Sequence, residues 1–368
     1  MAGQLPGLQL AEPTAGCVEK VVGSGLGVAM VKQAGVAAWL AGIAVIVALT
    51  VWSGVGSVGH AVSSVGWGIL LVVVVRAVTV LVAGAGWWLL FPAKVRPQLG
   101  TCLGLRFVRE AVNVLLPVAQ VGGDVVGAAL LRGRAVPGAL AAASVIVDVL
   151  IQAAAQFLFA LFGLLILVAL EADQALAQTA AVGLVVAALM LAGFYFAQRQ
   201  GGQRILRWIV GRLAGDREWR VLGTIDAVYH NLGTIYAARW SFIASSVVHM
   251  AGWIVGAAEV WIVFAFMGHP VSIAEAIVIE SLMHAVRGAA FAVPGALGAQ
   301  EGALVLLCAA FGIPPQEAIA LSLVKRAADL AVGVPGLVGW QMLEWGRFLP
   351  SWRARPAPNP VDPRSQIR

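Results

Sequence analysis

The sequence predicts an all-α, polytopic integral membrane protein, with about six transmembrane helices and two re-entrant helical hairpins in an inverted repeat. Three observations carry this reading. The 368 residues are 60% hydrophobic and only 11% charged, with a mean hydropathy of +0.90, whereas a soluble domain carries about 25% charged residues. Several apolar runs are long enough to cross about 30 Å of hydrocarbon. Two regions interrupted by glycine and proline match each other at one fixed spacing. The 43 glycines fit as well, since small residues let membrane helices approach closely.

Along the chain, residues 1–32 are Gly-rich and weakly patterned and read as a cytoplasmic tail. The first span is about Ala34–Trp52. The second is about Val65–Phe91, with Trp87 and Trp88 at the membrane interface. Residues 93–137 mix short apolar stretches with Arg, Pro and Gly. The third span is about Gly138–Leu170 and the fourth about Ala175–Ala197. A basic linker, 199–238, follows. Ile205, Ile209 and Leu213 form one stripe at helical spacing, with Arg204, Arg207 and Arg212 off it; Val221, Ile225, Val228, Leu232 and Ile235 form a second. These stripes suit either helices lying in the headgroup region or a helical hairpin packed under the membrane domain. The fifth span is about Trp240–Met267, and residues 269–315 are mixed again. The sixth is about Glu317–Leu343. The membrane domain therefore covers 33–347, and the Pro- and Arg-rich tail 348–368 is expected to be disordered.

Charge placement orients this map. The net charge is +6 with pI ≈ 9.7, but the basic residues lie between spans, where they set topology rather than bind nucleic acid. Lys20, Lys32, Lys94, Arg96, Arg106, Arg109, Arg132 and Arg134, the arginines from Arg199 to Arg239 and those from Arg347 to Arg368 fall on one side; the other carries Glu171, Asp173 and Glu275 and, of the basic residues, only Arg287. Both termini are then cytoplasmic, in the cell inner (cytoplasmic) membrane. The N-terminus lacks a basic segment followed by an apolar core, so no cleavable signal peptide is expected. Cys17, Cys102 and Cys308 share no motif spacing, so neither a disulfide framework nor a zinc site is implied.

The repeat offset is 177 residues. It carries Pro117 to Pro294, Asp124 to Glu301, Pro137 to Pro314 and Asp148 to Lys325. Repeat 1 covers about 65–170 and repeat 2 about 240–345. Two spans separate the equivalent second and fifth spans, so the repeats are antiparallel across the membrane, an architecture found in transporters. Within each repeat two short apolar segments flank a break: Leu103–Leu116 with Val125–Leu131, and Ile277–Val293 with Ala303–Phe311. Segments this short read as re-entrant hairpins with tips meeting near the midplane; simple helix kinking is the other reading.

Ionisable residues inside a membrane are costly and mark functional candidates. Arg76, Asp148, His249, Glu259, Lys325, Arg326 and Asp329 fall in the spans; Arg109, Glu110, Asn113, Asp124, Glu280, Arg287 and Glu301 fall in the hairpins. The signs roughly balance, so structural pairing competes with function. Asp148 and Lys325, related by the repeat, are expected to pair, with Arg76 and Glu259 a second candidate pair. Each hairpin puts an arginine before its break and an acid after it. Arg109 and Arg287 could hold a phosphate or carboxylate, and Asp124 and Glu301 could cap the second half-helix or bind a ligand. No phosphate-binding loop, His-Glu-x2-His or Cys-x2-Cys pattern, or nucleophile elbow is present. No cofactor and no metal are expected, and no enzymatic activity.

The segments FVREAVNVLLPVAQVGGDVVGAALL, RGAAFAVPGALGAQEGALVL and ALSLVKRAADL resemble the transmembrane, flippase-like domain of the lysylphosphatidylglycerol synthase family over about residues 35–345. The likeness is strongest to the hopanoid-biosynthesis-associated membrane proteins of that family. The resemblance implies translocation of a membrane lipid (a hopanoid, including its glycosylated or polyol derivatives, another isoprenoid or a phospholipid) and association with other lipid-biosynthesis membrane proteins, or a non-transporting scaffold of such a complex. It also implies functional roles for Arg109, Asn113, Pro117, Gly122, Gly123 and Asp124, then for Arg287, Pro294, Gly295, Gly298, Glu301, Lys325 and Arg326. Two features depart from the family pattern: Pro294-Gly295-Ala296 stands where Pro-Gly-Gly is common, and Asp124 where Glu is common. The full-length synthases add a soluble aminoacyl-transfer domain, for which residues after 345 leave no room, so lipid aminoacylation is not implied.

Overall fold

The computed structural model of the chain describes residues 40, 44, 47–116, 122–132, 134, 136–199, 201–205, 207, 218–291 and 293–348. All regular structure among them is helical. The helices are α1 (Val55–Val65), α2 (Gly68–Leu89), α3 (Leu99–Leu115), α4 (Gly122–Arg132), α5 (Gly138–Ala169), α6 (Gln174–Ala197), α7 (Glu218–Ala237), α8 (Arg239–Met267), α9 (Ile273–Ala289), α10 (Ala299–Ala309) and α11 (Pro315–Phe348). Both tails, most of the expected first span, and Ile209 and Leu213 of the linker's first stripe lie outside the described residues.

Among the described residues four helices, α2, α5, α6 and α8, are long and apolar enough to cross a membrane. The 34-residue α11 is long enough, but Lys325, Arg326 and Asp329 lower its hydropathy. The pairs α3/α4 and α9/α10 match in length, 17 and 11 residues in each case. At 1.5 Å per residue these are about 25 and 17 Å long, short of the hydrocarbon thickness. The members of each pair pack on one another.

Local sequence sets the ends of these pieces. At α9, Ser272 accepts from the Glu275 N–H and Glu275 returns a bond to the Ser272 N–H, closing a capping box. At α10, the Glu301 carboxylate accepts from the Gly298 N–H at 2.7 Å. The turn before it holds Gly295 at φ 60 and Gly298 at φ 82, a left-handed backbone that glycine enters without steric cost. Ala296 takes φ 48 in the same turn, at the position where this sequence departs from Pro-Gly-Gly.

Equivalent helices meet across a pseudo-two-fold axis. Helix α2 packs along α8, its own repeat mate. Arg76 bonds Glu259, and a Cβ at Gly68, Gly252 or Gly86 would press on Phe266, Val82 or His249 respectively. Residue numbers rise along one helix as they fall along the other, so α2 and α8 are antiparallel and the two repeats are inverted. The last helix of each repeat packs on the opposite hairpin: α5 on α9, and α11 on α3. Glycines permit these contacts. Gly163 of α5 meets Ser281 of α9, and Gly336 of α11 meets the Phe107 carbonyl of α3.

Two apolar clusters result. One gathers α3, α4, the first half of α5 and α7 around Trp87, Leu131 and Val147, and it buries Leu232 and Ile235. The second stripe of the linker is thus a helix packed on the bundle. The other cluster gathers α8, α9, α10 and α11 around Phe264, Ile279 and Leu304. Along α5 the first runs to Ile151 and the second resumes at Ala160, leaving Gln152 and Gln156 between them at mid-length. Trp87, in the last turn of α2, is fully buried, with Nε1 donating to Ser144 Oγ at 3.2 Å.

Candidate functional site

Between the two clusters lies a cavity of about 290 Å³. It is bounded by α2 and α8 at the pseudo-axis, where Thr79 and Gly256, equivalent in the repeat, both line it. Helices α3, α4, α5 and α9 close the sides. Its wall is polar: Arg76, Arg106, Arg287, Glu110, Asp124, Glu259 and Glu280 face it, with Asn113, Gln152, Gln156, His249, His284 and Trp253.

Nearly every charge in this wall is already held. Arg106 reaches Gln152 Oε1 at 2.8 Å, Glu110 at 3.2 Å and Asp148 at 3.6 Å. Arg76 bonds Glu259 at 2.9 Å and lies 3.3 Å from Asp329, so the expected Arg76–Glu259 pair is present. His249 Nε2 lies 3.0 Å from Asp148 Oδ1, and His284 Nε2 lies 3.0 Å from Glu280 Oε1. Arg287 has the loosest contact, 3.6 Å to Asp329 Oδ2. The Gln156 amide donates to the His284 carbonyl at 2.6 Å and so ties α5 to α9.

Asp148 and Lys325 do not pair with each other, contrary to the sequence expectation. Asp148 lies 2.7 Å from Arg109 Nη1, besides its contacts with Arg106 and His249. Lys325, fully buried, donates to Glu259 at 2.7 Å and to both Glu280 oxygens at 2.9 Å. The reason is geometric. The pseudo-axis passes between α2 and α8, not between α5 and α11, so each hub turns to its own hairpin. Repeat 1 joins an acid on α5 to bases on α3; repeat 2 joins a base on α11 to an acid on α9. The layout is shared and the signs are exchanged.

Arg109 is not in the cavity wall either. It is fully buried, bonded to Asp124 Oδ1 through Nε at 2.9 Å and Nη2 at 2.6 Å, with its guanidinium 4.7 Å over the Trp87 ring. Two carboxylates and an aromatic face hold it, leaving it no free edge for a ligand. Asn113 does line the cavity, and its Oδ1 accepts from the Gly123 N–H at 2.7 Å. Gly123 passes so close to α3 that a Cβ would stand 2.1 Å from the Arg109 carbonyl oxygen. Gly122 opens α4. Pro117 lies outside the described residues. Pro294 belongs to the turn Pro294–Ala296, which packs on α3; a Cβ at Gly295 would lie 3.4 Å from the Val114 carbonyl, so the break of the second hairpin touches the end of the first.

Glu301, Gly298 and Arg326 form a separate cluster. Glu301 Oε1 accepts from Arg326 Nε and Ser322 Oγ, both at 2.7 Å, and Arg326 Nη1 reaches the Gly295 carbonyl at 3.3 Å. These residues fix the turn and do not line the cavity. Of the residues singled out by the family resemblance, Asn113, Asp124 and Arg287 face the cavity, and Lys325 supports its wall from behind. Sequence reasoning passed over Gln152, Gln156 and Trp253. Their signal was present for the glutamines: Asp148, Gln152 and Gln156 recur every four residues and share one helical face. Among the described residues no cluster of His, Cys, Asp and Glu is arranged to hold a metal ion.

A sequence profile described as the lysylphosphatidylglycerol synthase TM region matches residues 39–336. A UPF0104 membrane protein of Methanothermobacter thermautotrophicus is 26% identical over 235 residues, covering 60% of this chain and 68% of that protein. No solved structure matches the chain.

Proposed function

The chain belongs to the lysylphosphatidylglycerol synthase transmembrane-region family, and on that premise we propose that it is a lipid translocase of the cytoplasmic membrane and not an enzyme. The observation that supports this most is the polar cavity at mid-length of the spanning helices, set between two inverted repeats. A lipid head crossing hydrocarbon without hydrogen-bond partners costs several kcal/mol. A wall of amides, carboxylates and guanidinium groups supplies those partners where the bilayer has none. A volume of about 290 Å³ takes a headgroup while the apolar part stays in the lipid. The two short helical pairs act as re-entrant hairpins, one serving each side of the membrane in turn. The lipid is a hopanoid or related isoprenoid, on the strength of the hairpin segments, and other lipid-biosynthesis membrane proteins are its partners. Both termini face the cytoplasm.

Arg287 is the side chain to test. It faces the cavity and makes one loose contact, and its partner Asp329 keeps Arg76. Arg287→Gln should abolish lipid movement in proteoliposomes and leave the melting temperature in detergent close to that of the wild type. Arg109→Gln should instead lower stability, since it strands Asp124 and weakens the hold on Asp148. Undiminished movement by Arg287→Gln would sink the route through this cavity and favour a non-transporting scaffold.

A further inference from the structure

We infer that the head accepted by this cavity carries no net charge and is rich in hydroxyl groups, a sugar or polyol head rather than a phosphate. The inference rests on the translocase reading and names the substrate class of the same site. It departs from what the two hairpin arginines suggest in the sequence, and three observations lead to it.

The first is the charge balance of the wall. Three arginines, Arg76, Arg106 and Arg287, face the cavity against four carboxylates, Glu110, Asp124, Glu259 and Glu280. Each of the three arginines has a carboxylate within 4.0 Å. An anionic head would therefore have to compete with a carboxylate already on each arginine, in a wall where four carboxylates face three arginines. A cationic head would have to displace the arginine, or Lys325 at Glu280, that each carboxylate already holds.

The second is the neutral polar equipment. Asn113, Gln152, Gln156 and Thr79 face the same space; each already bonds a neighbour, and the acceptor capacity left on their oxygens suits a hydroxyl donor. Hydroxyl groups also donate and accept, and they can join such a network, including its carboxylate edges, without changing its charge. The third is Trp253, which lines the cavity with its ring 4.7 Å from that of His284 and 6.4 Å from that of Phe159. An indole among carboxylates and amides gives the C–H face of a sugar ring an apolar surface to lie on.

The experiment compares three heads on one diacylglycerol anchor: glucosyl, phosphoglycerol and phosphoethanolamine. Thermal shift of the purified full chain in detergent reads binding, and dithionite protection of the fluorescently tagged lipids in proteoliposomes reads movement. The glucosyl lipid should stabilise the protein at concentrations at least about ten-fold lower than the other two, a factor equal to about 1.4 kcal/mol of discrimination, and should move fastest. Trp253→Leu should remove most of that preference, and Trp253→Phe should keep part of it. Glu110→Gln, which removes one negative charge from the wall, should narrow the gap between the glucosyl and phosphoglycerol lipids. Equal or stronger stabilisation by phosphoglycerol overturns the inference, and preference for phosphoethanolamine overturns it in favour of a zwitterionic head. Glucosyl-selective binding without movement of any lipid would leave the headgroup assignment standing and refute the translocase reading instead.

Discussion

Replacing Lys325 with Met tests whether the buried network is held by the contacts seen here. Methionine keeps the length and apolar stem and removes only the ammonium group, which holds Glu259 at 2.7 Å and Glu280 at 2.9 Å. After the change Glu259 still has Arg76 at 2.9 Å, while Glu280 is left with His284. Removing one member of a buried ion pair costs about 3–5 kcal/mol because the other charge is stranded. Most of that cost should lie at Glu280, so Lys325→Met combined with Glu280→Gln should recover more than half of it. The reciprocal exchange, Asp148→Lys with Lys325→Asp, should rescue nothing: it sets a lysine beside Arg106 and Arg109 and an aspartate beside Glu259 and Glu280. Unfolding in mixed micelles, followed by loss of helical signal, measures all of these variants. A Lys325→Met protein within about 1 kcal/mol of the wild type would refute the reasoning, as would restored stability in the exchange variant.

Two glycines in the short helices should respond in opposite ways. Gly123→Ala drives a Cβ into the Arg109 carbonyl and should sharply lower the yield of folded protein, whereas Gly302→Ala meets nothing within 4 Å and should be neutral or stabilising by up to about 1 kcal/mol; melting temperature and yield after purification compare them. For orientation, single cysteines at Ser57 or Asp173 in a cysteine-free background should react with an impermeant thiol reagent from outside the cell and one at Gly202 should not, and the opposite pattern would invert the map.

The spanning helices were legible because hydropathy is additive along the chain, and α2, α5, α6 and α8 fall within a few residues of the predicted spans. The hairpin pieces were legible from Pro and Gly at matched spacing. What the sequence could not give was partner choice. Asp148 and Lys325 are equivalent in the repeat, and equivalence alone says they meet only if the axis runs between their helices. That depends on which helix pair packs at the centre. Gly68, Gly86 and Gly252 settle it for α2 and α8, because contacts this close need glycine on one side. Arg109 was misjudged for a related reason. An arginine next to a break looks available to a ligand, but its burial depends on Asp124, Asp148 and Trp87, which come from different helices. Gln152 and Gln156 carry no charge and leave the hydropathy of α5 almost untouched, so they are visible only through their spacing from Asp148.

The exchanged signs of the two hubs explain how so many ionisable groups can share one mid-helix layer. Suppose duplication had left an acid at both Asp148 and position 325. Glu259 and Glu280 would then face a third carboxylate, and the network would carry a negative excess in surroundings that do not tolerate it. A lysine at 325 with acids at 259 and 280 mirrors an aspartate at 148 with arginines at 106 and 109. The layer stays close to neutral while both hairpins remain anchored to a long helix. With Lys325 counted behind it, the cavity wall shares that balance, four positive groups to four carboxylates. Its carboxylates and guanidinium groups stabilise the protein through each other, its amides each hold a neighbour as well, and a guest meets the acceptor capacity those amides have left together with the Trp253 ring. The same balance that lets the charges reside between two apolar clusters selects against a guest that would disturb it.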